Sequence, residues 1–309
     1  MGVAAPDSGL VDRLPSWVSL VRAPNPGPMT LDGTNTWILR PPGRQPAVIV
    51  DPGPDDDAHL AAVVAHAPVA FVLVTHGHHD HVGGAGRLAK LLGDVPVRAV
   101  DPAHCSNGAP LDRTGTLRVG DLEITVLDTP GHTGDSVCFR AGVGDSAATV
   151  PGDGPAGDGE RVILTGDTLL GRGTTVVAHP DGDLGQYLTS LRRLAAYRDV
   201  MLPGHGPPRA DCGEVARAYL DHRLARLDQV RAAVAAGATT AEQVLARVYP
   251  DVDEAVRFAA LWSVRAQLDH LRRDSSADRR TDWAAVDRAG TDRARIERVR
   301  TDRPKVDRP

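Results

Sequence analysis

The stretch that decides this chain is Thr75-His-Gly-His-His-Asp-His-Val-Gly-Gly84. Five side chains able to ligate a metal, His76, His78, His79, Asp80 and His81, fall within six positions. They follow Val69–Thr75, an apolar run that reads as a buried strand. Alternation along a strand would send neighbouring side chains to opposite faces. A turn at the strand end can instead aim His76 and His78 at one point and Asp80 and His81 at another. Gly83 and Gly84 permit a tight backbone before a helix expected over Gly84–Leu92. Histidines and an aspartate packed this closely repel or desolvate one another unless a cation lies among them, so the stretch predicts metal binding.

Three segments further along share one design, a strand ending in a small-residue turn that presents a ligand. They are Pro130-Gly-His132-Thr-Gly, Thr165-Gly-Asp167-Thr and Pro203-Gly-His205-Gly. Each is a moderate signal alone. Following the histidine cluster in this order, they extend the predicted site to His132, Asp167 and His205. Neutral imidazole suits zinc, and a carboxylate can bridge two cations.

Around these turns the chain alternates strand and helix signals. Strands are expected over Trp17–Arg22, Asn35–Arg40, Ala47–Asp51, Val97–Val100, Thr116–Val119, Glu123–Asp128, Ser136–Arg140, Arg161–Thr165 and Val200–Leu202. Helices are expected over Asp57–His66 and Leu184–Tyr197. Ala141–Glu160, rich in Gly, Ala, Asp and Pro, reads as a mobile loop joining two strands. Beyond residue 208 the composition shifts to helix signal: Gly213–Ala235, then Ala241–Val248 with Thr239 or Thr240 as N-cap, then a helix from Asp251 or Asp253 to about Arg272. Three regions follow: 1–208 as the catalytic domain, 209–273 as a small helical domain, and 274–309 as a polar tail expected to be disordered.

The composition narrows the function classes. With 41% hydrophobic residues, the 309-residue chain can bury a sizeable core. A formal net charge of -5 gives no global pull toward nucleic acid. Cys105, Cys138 and Cys212 are widely spaced without a C-x-x-C and read as reduced thiols. No apolar stretch of membrane-spanning length is present, and the N-terminus lacks the apolar region of a signal peptide. A cytoplasmic location without membrane partners is therefore expected; the oligomeric state is left open.

The ligand pattern resembles that of metallo-β-lactamase-fold hydrolases, whose hallmark is H-x-H-x-D-H followed by His, Asp and His. The resemblance covers roughly residues 15–208. It implies an α/β fold, an αββα sandwich of two mixed sheets with helices outside. It implies two divalent metal ions, with zinc expected. Carried over residue by residue, His76, His78 and His132 hold the first ion, Asp80, His81 and His205 the second, and Asp167 bridges them. His79 fills the variable position and is not a ligand. Asn25-Pro-Gly-Pro-Met-Thr-Leu-Asp-Gly-Thr-Asn-Thr36 and Gly166-Asp-Thr-Leu-Leu-Gly-Arg-Gly-Thr-Thr175 resemble a subfamily with a C-terminal winged-helix-like domain. That subfamily includes single-strand-specific endoribonucleases and fungal thioesterases that release polyketides. After Leu271-Arg-Arg-Asp274 no β-wing is legible.

The expected chemistry is hydrolysis by a hydroxide shared between the two metals, with Asp80 and Asp167 orienting the nucleophile or accepting its proton. The expected substrate is a small ester, thioester or lactone, in keeping with the acidic balance and the missing wing. The alternative is cleavage of single-stranded RNA, for which Arg223, Arg226, Arg231, Arg272 and Arg273 are candidate contacts against the plainer reading of a solvated helix face. A glyoxalase-like thioesterase and a mono-iron persulfide dioxygenase stand behind these. β-Lactam hydrolysis is set aside, since lactamases of the main class place a Cys at a metal position. Asp51 is expected to hydrogen-bond a ligand or its loop. Asn35, Thr174 and Thr175 are candidate polar contacts to substrate. His104 reads as a surface residue in preference to a cleft residue.

Overall fold

A computed structural model describes residues 14–43, 45–144 and 161–274. β1 (Val18–Arg22), β2 (Asn35–Leu39) and β3 (Ala47–Val50) pair antiparallel, and β4 (Val69–Leu73) and β5 (Val97–Arg98) extend the sheet in parallel. The second sheet runs antiparallel through β6 (Thr116–Val119), β7 (Leu122–Asp128), β8 (Val137–Val143) and β9 (Arg161–Gly166), and β10 (Val200–Pro203) joins β9 in parallel. Both are five-stranded and mixed, ordered β1-β2-β3-β4-β5 and β10-β9-β8-β7-β6.

The period of two along each strand builds the layers. Trp37, Leu39, Val48, Val50 and Leu73 meet Ile124, Val126, Phe139, Val162 and Leu164 in a core between the sheets. The alternate residues Ile38, Ala47, Ile49 and Val72 face outward, onto Leu60 and Val63 of α1 (Asp57–Val64) and Leu88 and Ala89 of a helix over Ala85–Leu91. Helices this short are marginal in isolation, so that burial is what holds them. On the second sheet a helix over Leu184–Leu194 buries Leu184, Tyr187, Leu188, Leu191 and Leu194. The result is the expected αββα sandwich.

Parallel neighbours require crossovers, and these place the functional loops. The connections leaving the C-terminal ends of β3, β4, β9 and β10 carry Asp51, the histidine cluster, Asp167 and His205. β7 runs in the same sense as β9, and the turn after it carries His132.

Local differences from the sequence reading have physical reasons. The histidine cluster is not only a turn: His79–Val82 forms one helical turn, α2, ahead of α3 (Ala85–Leu91). β8 continues to Val143, pairing it with Leu122, because ladder hydrogen bonds do not depend on the small side chains of Ala141 and Gly142. The rest of the expected loop, 145–160, and the expected disordered tail from 275 onward lie outside the described residues. Asp274 itself ends a helix.

By Cα packing the chain forms two units, Met1–Ala225 and Arg226–Pro309. Following α4 (Leu184–Leu194), α5 (Cys212–Ala235) spans the division, so its first half belongs to the sandwich unit. The second unit buries Leu227, Val230, Val244, Leu245, Val264 and Leu268 from α5, α6 (Ala241–Val248) and α7 (Arg257–Asp274). Thr240 caps α6 by accepting from Gln243 N at 3.1 Å, and Arg247 donates to Ala233 O and Ala236 O. Asp253 caps a 3-10 turn, Glu254–Val256, rather than α7 directly.

Candidate metal centre

All seven side chains singled out in the sequence converge, in two groups: His76, His78, His132 and Asp167, and Asp80, His81 and His205. In the first, His78 Nδ1 lies 3.0 Å from His76 Nε2 and 3.1 Å from His132 Nε2. In the second, His205 Nε2 lies 3.2 Å from His81 Nε2 and 3.1 Å from Asp80 Oδ2. Asp167 stands between them, with Oδ1 3.4 Å from His81 Nε2, and Oδ2 3.3 Å from His205 Nε2 and 3.9 Å from His132 Nε2. The extended backbone at His78 and the helical turn after it separate the two aims, while His79 is exposed and belongs to neither group.

Two glycines make room for this crowding. A Cβ on Gly204 would lie 2.6 Å from both Asp167 Oδ1 and His81 Cε1. Gly166 has φ of +48°, and a Cβ there would meet Thr75 Oγ1 at 2.4 Å. These are the glycines of the Pro-Gly-His and Gly-Asp turns.

The outer nitrogen of four imidazoles is engaged. His81 Nδ1 donates to Asp51 Oδ2 at 2.9 Å, and His132 Nδ1 to Val176 O at 2.8 Å. His205 Nδ1 faces Gly33 O at 3.3 Å. Thr75 Oγ1 donates to Asp51 Oδ2 at 2.8 Å and so accepts from His76 Nδ1 at 3.0 Å. Each arrangement leaves the Nε2 lone pair pointing inward.

Charge divides the groups. Burial drives the His76 pKa well below the ordinary value and the His132 pKa down to about 4. Burial also opposes the charge on His81 and His205, but carboxylates outweigh it. Asp167, Asp80 and Asp51 raise His81 well above the ordinary value, and Asp167 and Asp80 raise His205 to about 9. Desolvation works against ionised Asp167 and Asp80 too, yet the facing histidines hold both carboxyls below the usual range.

This donor set fits metal ions. Five imidazoles and two carboxylates crowd their donor atoms together, His76 Nε2 and His78 Nδ1 3.0 Å apart and His81 Nε2 and His205 Nε2 3.2 Å apart, an arrangement a cation would hold. Asp167 Oδ1 is buried with no hydrogen-bond partner, an orphan that a cation would satisfy.

The supporting residues are partly as expected. Asp51 bonds both a candidate ligand, His81, and the ligand loop, accepting from Thr75 N at 2.8 Å. Asn35 is buried and does not face a substrate: its Nδ2 donates to Pro203 O and Gly206 O, fixing the loop of His205. Thr175 is likewise buried, its hydroxyl donating to Asp167 O at 2.7 Å. Thr174 is partly exposed. Sequence reasoning missed Thr34, whose hydroxyl donates to Asp80 Oδ2 at 3.0 Å and whose backbone N donates to Asn25 Oδ1.

A cleft of about 540 Å³ opens beside His78. His104 is half-buried and lines it, so it is a cleft residue rather than a plain surface one. Asp101, Asp135 and Asp181 line it too, against one Arg113, which is paired with Asp128 at 2.7 Å. Of the arginines weighed for nucleic acid, Arg223 is buried. Arg226 donates to Gln229 and Val248 O, and Arg231 and Arg273 pair with Asp228 and Asp269.

Comparison with known proteins bears on this arrangement. A family model described as the metallo-beta-lactamase superfamily matches residues 29–149, and one described as the beta-lactamase associated winged helix domain matches 240–284. The chain is 28% identical over 283 residues to a beta-lactamase-like protein 2 homolog of Caenorhabditis elegans, covering 85% of this chain and 87% of that one. It is 32% identical over 268 residues to an atrochrysone carboxyl ACP thioesterase of Aspergillus chevalieri, covering 81% and 79%. A beta-lactamase domain protein from Burkholderia ambifaria shares the fold, with a TM-score of 0.69 at 23% identity over 88% of this chain and 90% of that one. The sandwich, the ligand order and these matches together make the chain a member of the metallo-β-lactamase superfamily, a hydrolase of that fold with a C-terminal winged-helix domain.

Proposed function

We propose that the protein is a binuclear zinc-dependent hydrolase of a small ester, thioester or lactone. The observation that carries this is Asp167, which groups with His76, His78 and His132, its Oδ2 3.9 Å from His132 Nε2, while its two oxygens also face His81 and His205 of the other group at 3.4 and 3.3 Å. His76, His78 and His132 would hold one ion, Asp80, His81 and His205 the other, and Asp167 both. Two such ions would supply Lewis acidity toward the substrate oxygen and ionisation of a water near neutral pH.

The chain's own groups do the rest. Asp80 is the most open of the carboxylates at the centre, its side chain 28% exposed, and it can accept the proton of an attacking water or orient it. Asp51, Gly33 O, Thr75 and Val176 O fix the imidazoles so that little reorganisation accompanies the reaction. His104 is placed to hydrogen-bond a substrate lying against His78.

The cleft's excess of aspartates favours an uncharged acyl substrate over polyanionic RNA. The relatives named as carboxyl ACP thioesterases support a thioester. RNA cleavage would call for a basic or aromatic track beside the metals. Of the candidate arginines, Arg223 is buried, Arg226 donates to Val248 O, and Arg231 and Arg273 pair with Asp228 and Asp269, which weakens the case for RNA. No helix among the described residues is long and apolar enough to cross a membrane.

Elemental analysis of the purified protein, with a panel of a thioester, a lactone, bis(p-nitrophenyl) phosphate and single-stranded RNA, tests the proposal. Near two zinc per chain with thioester or lactone turnover is expected. Two zinc with RNA cleavage alone would replace the substrate reading, and one iron without hydrolysis would overturn the mechanism.

A further inference from the structure

Two candidate ligands from distant parts of the chain rest on one dipeptide. Thr175 Oγ1 donates to Asp167 O at 2.7 Å and reaches Thr168 O at 3.4 Å. Val176 O accepts from His132 Nδ1 at 2.8 Å. The dipeptide lies in irregular backbone between β9 and α4, so no strand ladder holds it.

An arginine from α5 reaches it. Arg223 belongs to the sandwich unit and is 4% exposed. Its Nη2 donates to Thr175 O, its guanidinium carbon sits 5.4 Å above the Tyr187 ring, and Tyr187 Oη donates to Thr168 O at 2.7 Å. Its Nε is buried without a partner. A buried guanidinium is an expensive way to fill space, and an apolar side chain of similar volume is often as stable or more so. What an apolar chain lacks is a rigid donor aimed at the Thr175 carbonyl.

We propose that Arg223 is a positioning residue for the metal centre: through the carbonyl of Thr175 it sets the dipeptide that orients both His132 and Asp167. The proposal rests on the reading of those two residues as metal ligands. It gives the first half of α5 a function in the site rather than in nucleic-acid contact.

The test is zinc binding to the full-length, metal-stripped protein, measured in competition with a chromophoric chelator, for Arg223→Met, Arg223→Lys, Thr175→Val and the Arg223→Met/Thr175→Val double variant. Far-ultraviolet circular dichroism checks folding. Loss of a partner that orients a ligand weakens metal binding roughly 10–100-fold. Arg223→Met and Thr175→Val are each expected to show a loss of that size while folded. Arg223→Lys is expected to recover part of it, since an ammonium can reach the carbonyl without the planar fork. The double variant is expected to bind no more weakly than the worse single one, because both act on the same dipeptide. With zinc saturating, kcat should fall with KM held.

Wild-type affinity in folded Arg223→Met, or losses that add in the double variant, would overturn the proposal. Should Arg223→Met fail to fold, Thr175→Val and Arg223→Lys decide: wild-type affinity in Thr175→Val overturns it. Absence of zinc binding in the unaltered chain is a different result, one that removes the metal reading itself and this proposal with it.

Discussion

The two halves of the centre are built from the same residue type and backed in opposite ways. His76 and His132 lean on neutral oxygens, the Thr75 hydroxyl and the Val176 carbonyl. His81 leans on the Asp51 carboxylate, and Asp80 adds a charge of its own beside His205. Burial therefore wins in the first group, taking His132 down to about 4, and carboxylates win in the second, taking His205 up to about 9. Carboxylates beside a position also attract a metal cation directly, although protons compete for the same imidazoles. At an effective dielectric near 20, one extra unit charge about 4 Å away is worth on the order of 4 kcal/mol before screening. If the centre binds two ions as proposed, the position of Asp80, His81 and His205 is expected to retain its ion longer against a chelator.

The largest effect should come from the residue the halves share. Asp167→Ala is expected to empty both positions and bring hydrolysis to background, read by elemental analysis after dialysis and by thioester turnover. Two retained metals at full rate would sink the assignment of the site. Next comes the direct test of asymmetry. His132→Ala should lose the weaker ion and keep the tighter one, whereas Asp80→Asn should bring the two affinities together. Chelator titration of both variants separates these outcomes, and equal release curves in the unaltered protein would remove the asymmetry altogether. Asp51→Asn keeps the shape behind His81 and removes its charge. A loss of roughly 10–100-fold is expected at the second position. An equal loss at both positions would mean that Asp51 acts by holding Thr75 rather than by its charge on His81.

How much of this was legible in the sequence depends on the distance over which each residue acts. The convergence of the seven candidate ligands was legible because the segments that carry them follow apolar strands with small-residue turns, a pattern complete within a few positions. The sandwich was legible for a related reason: a period of two marks the strands and short helical runs mark the crossovers. The roles of Asn35 and Thr175 were not. Both read as polar residues near a cleft, but Asn35 turns inward to carbonyls 168 and 171 positions away, and Thr175 to the backbone of Asp167. Arg223 on a helix with surface-like composition gave no sign that its partner is Thr175, 48 positions earlier. Local pattern says which residues carry chemistry; tertiary packing decides which residues hold them still.

Thr34 supplies the smallest and most discriminating break in the comparison. Its hydroxyl donates to Asp80 Oδ2 at 3.0 Å, and Asn25 holds it there, donating from Nδ2 at 3.0 Å while accepting from Thr34 N at 2.9 Å. A hydrogen bond to a charged group is worth about 1.5–3 kcal/mol. Asp80 is 28% exposed in its side chain, so water can replace much of what Thr34→Val removes, and the lower end applies. At about 1.4 kcal/mol per factor of ten, the second position should lose roughly tenfold or less in zinc affinity. Nothing in the contacts of Thr34 reaches His76, His78 or His132, so the first position should keep its affinity. Chelator titration resolves the two steps only if the halves are independent to this degree. A Thr34→Val variant that loosened both ions equally would show that Asp167 couples them too strongly for either half to be described alone.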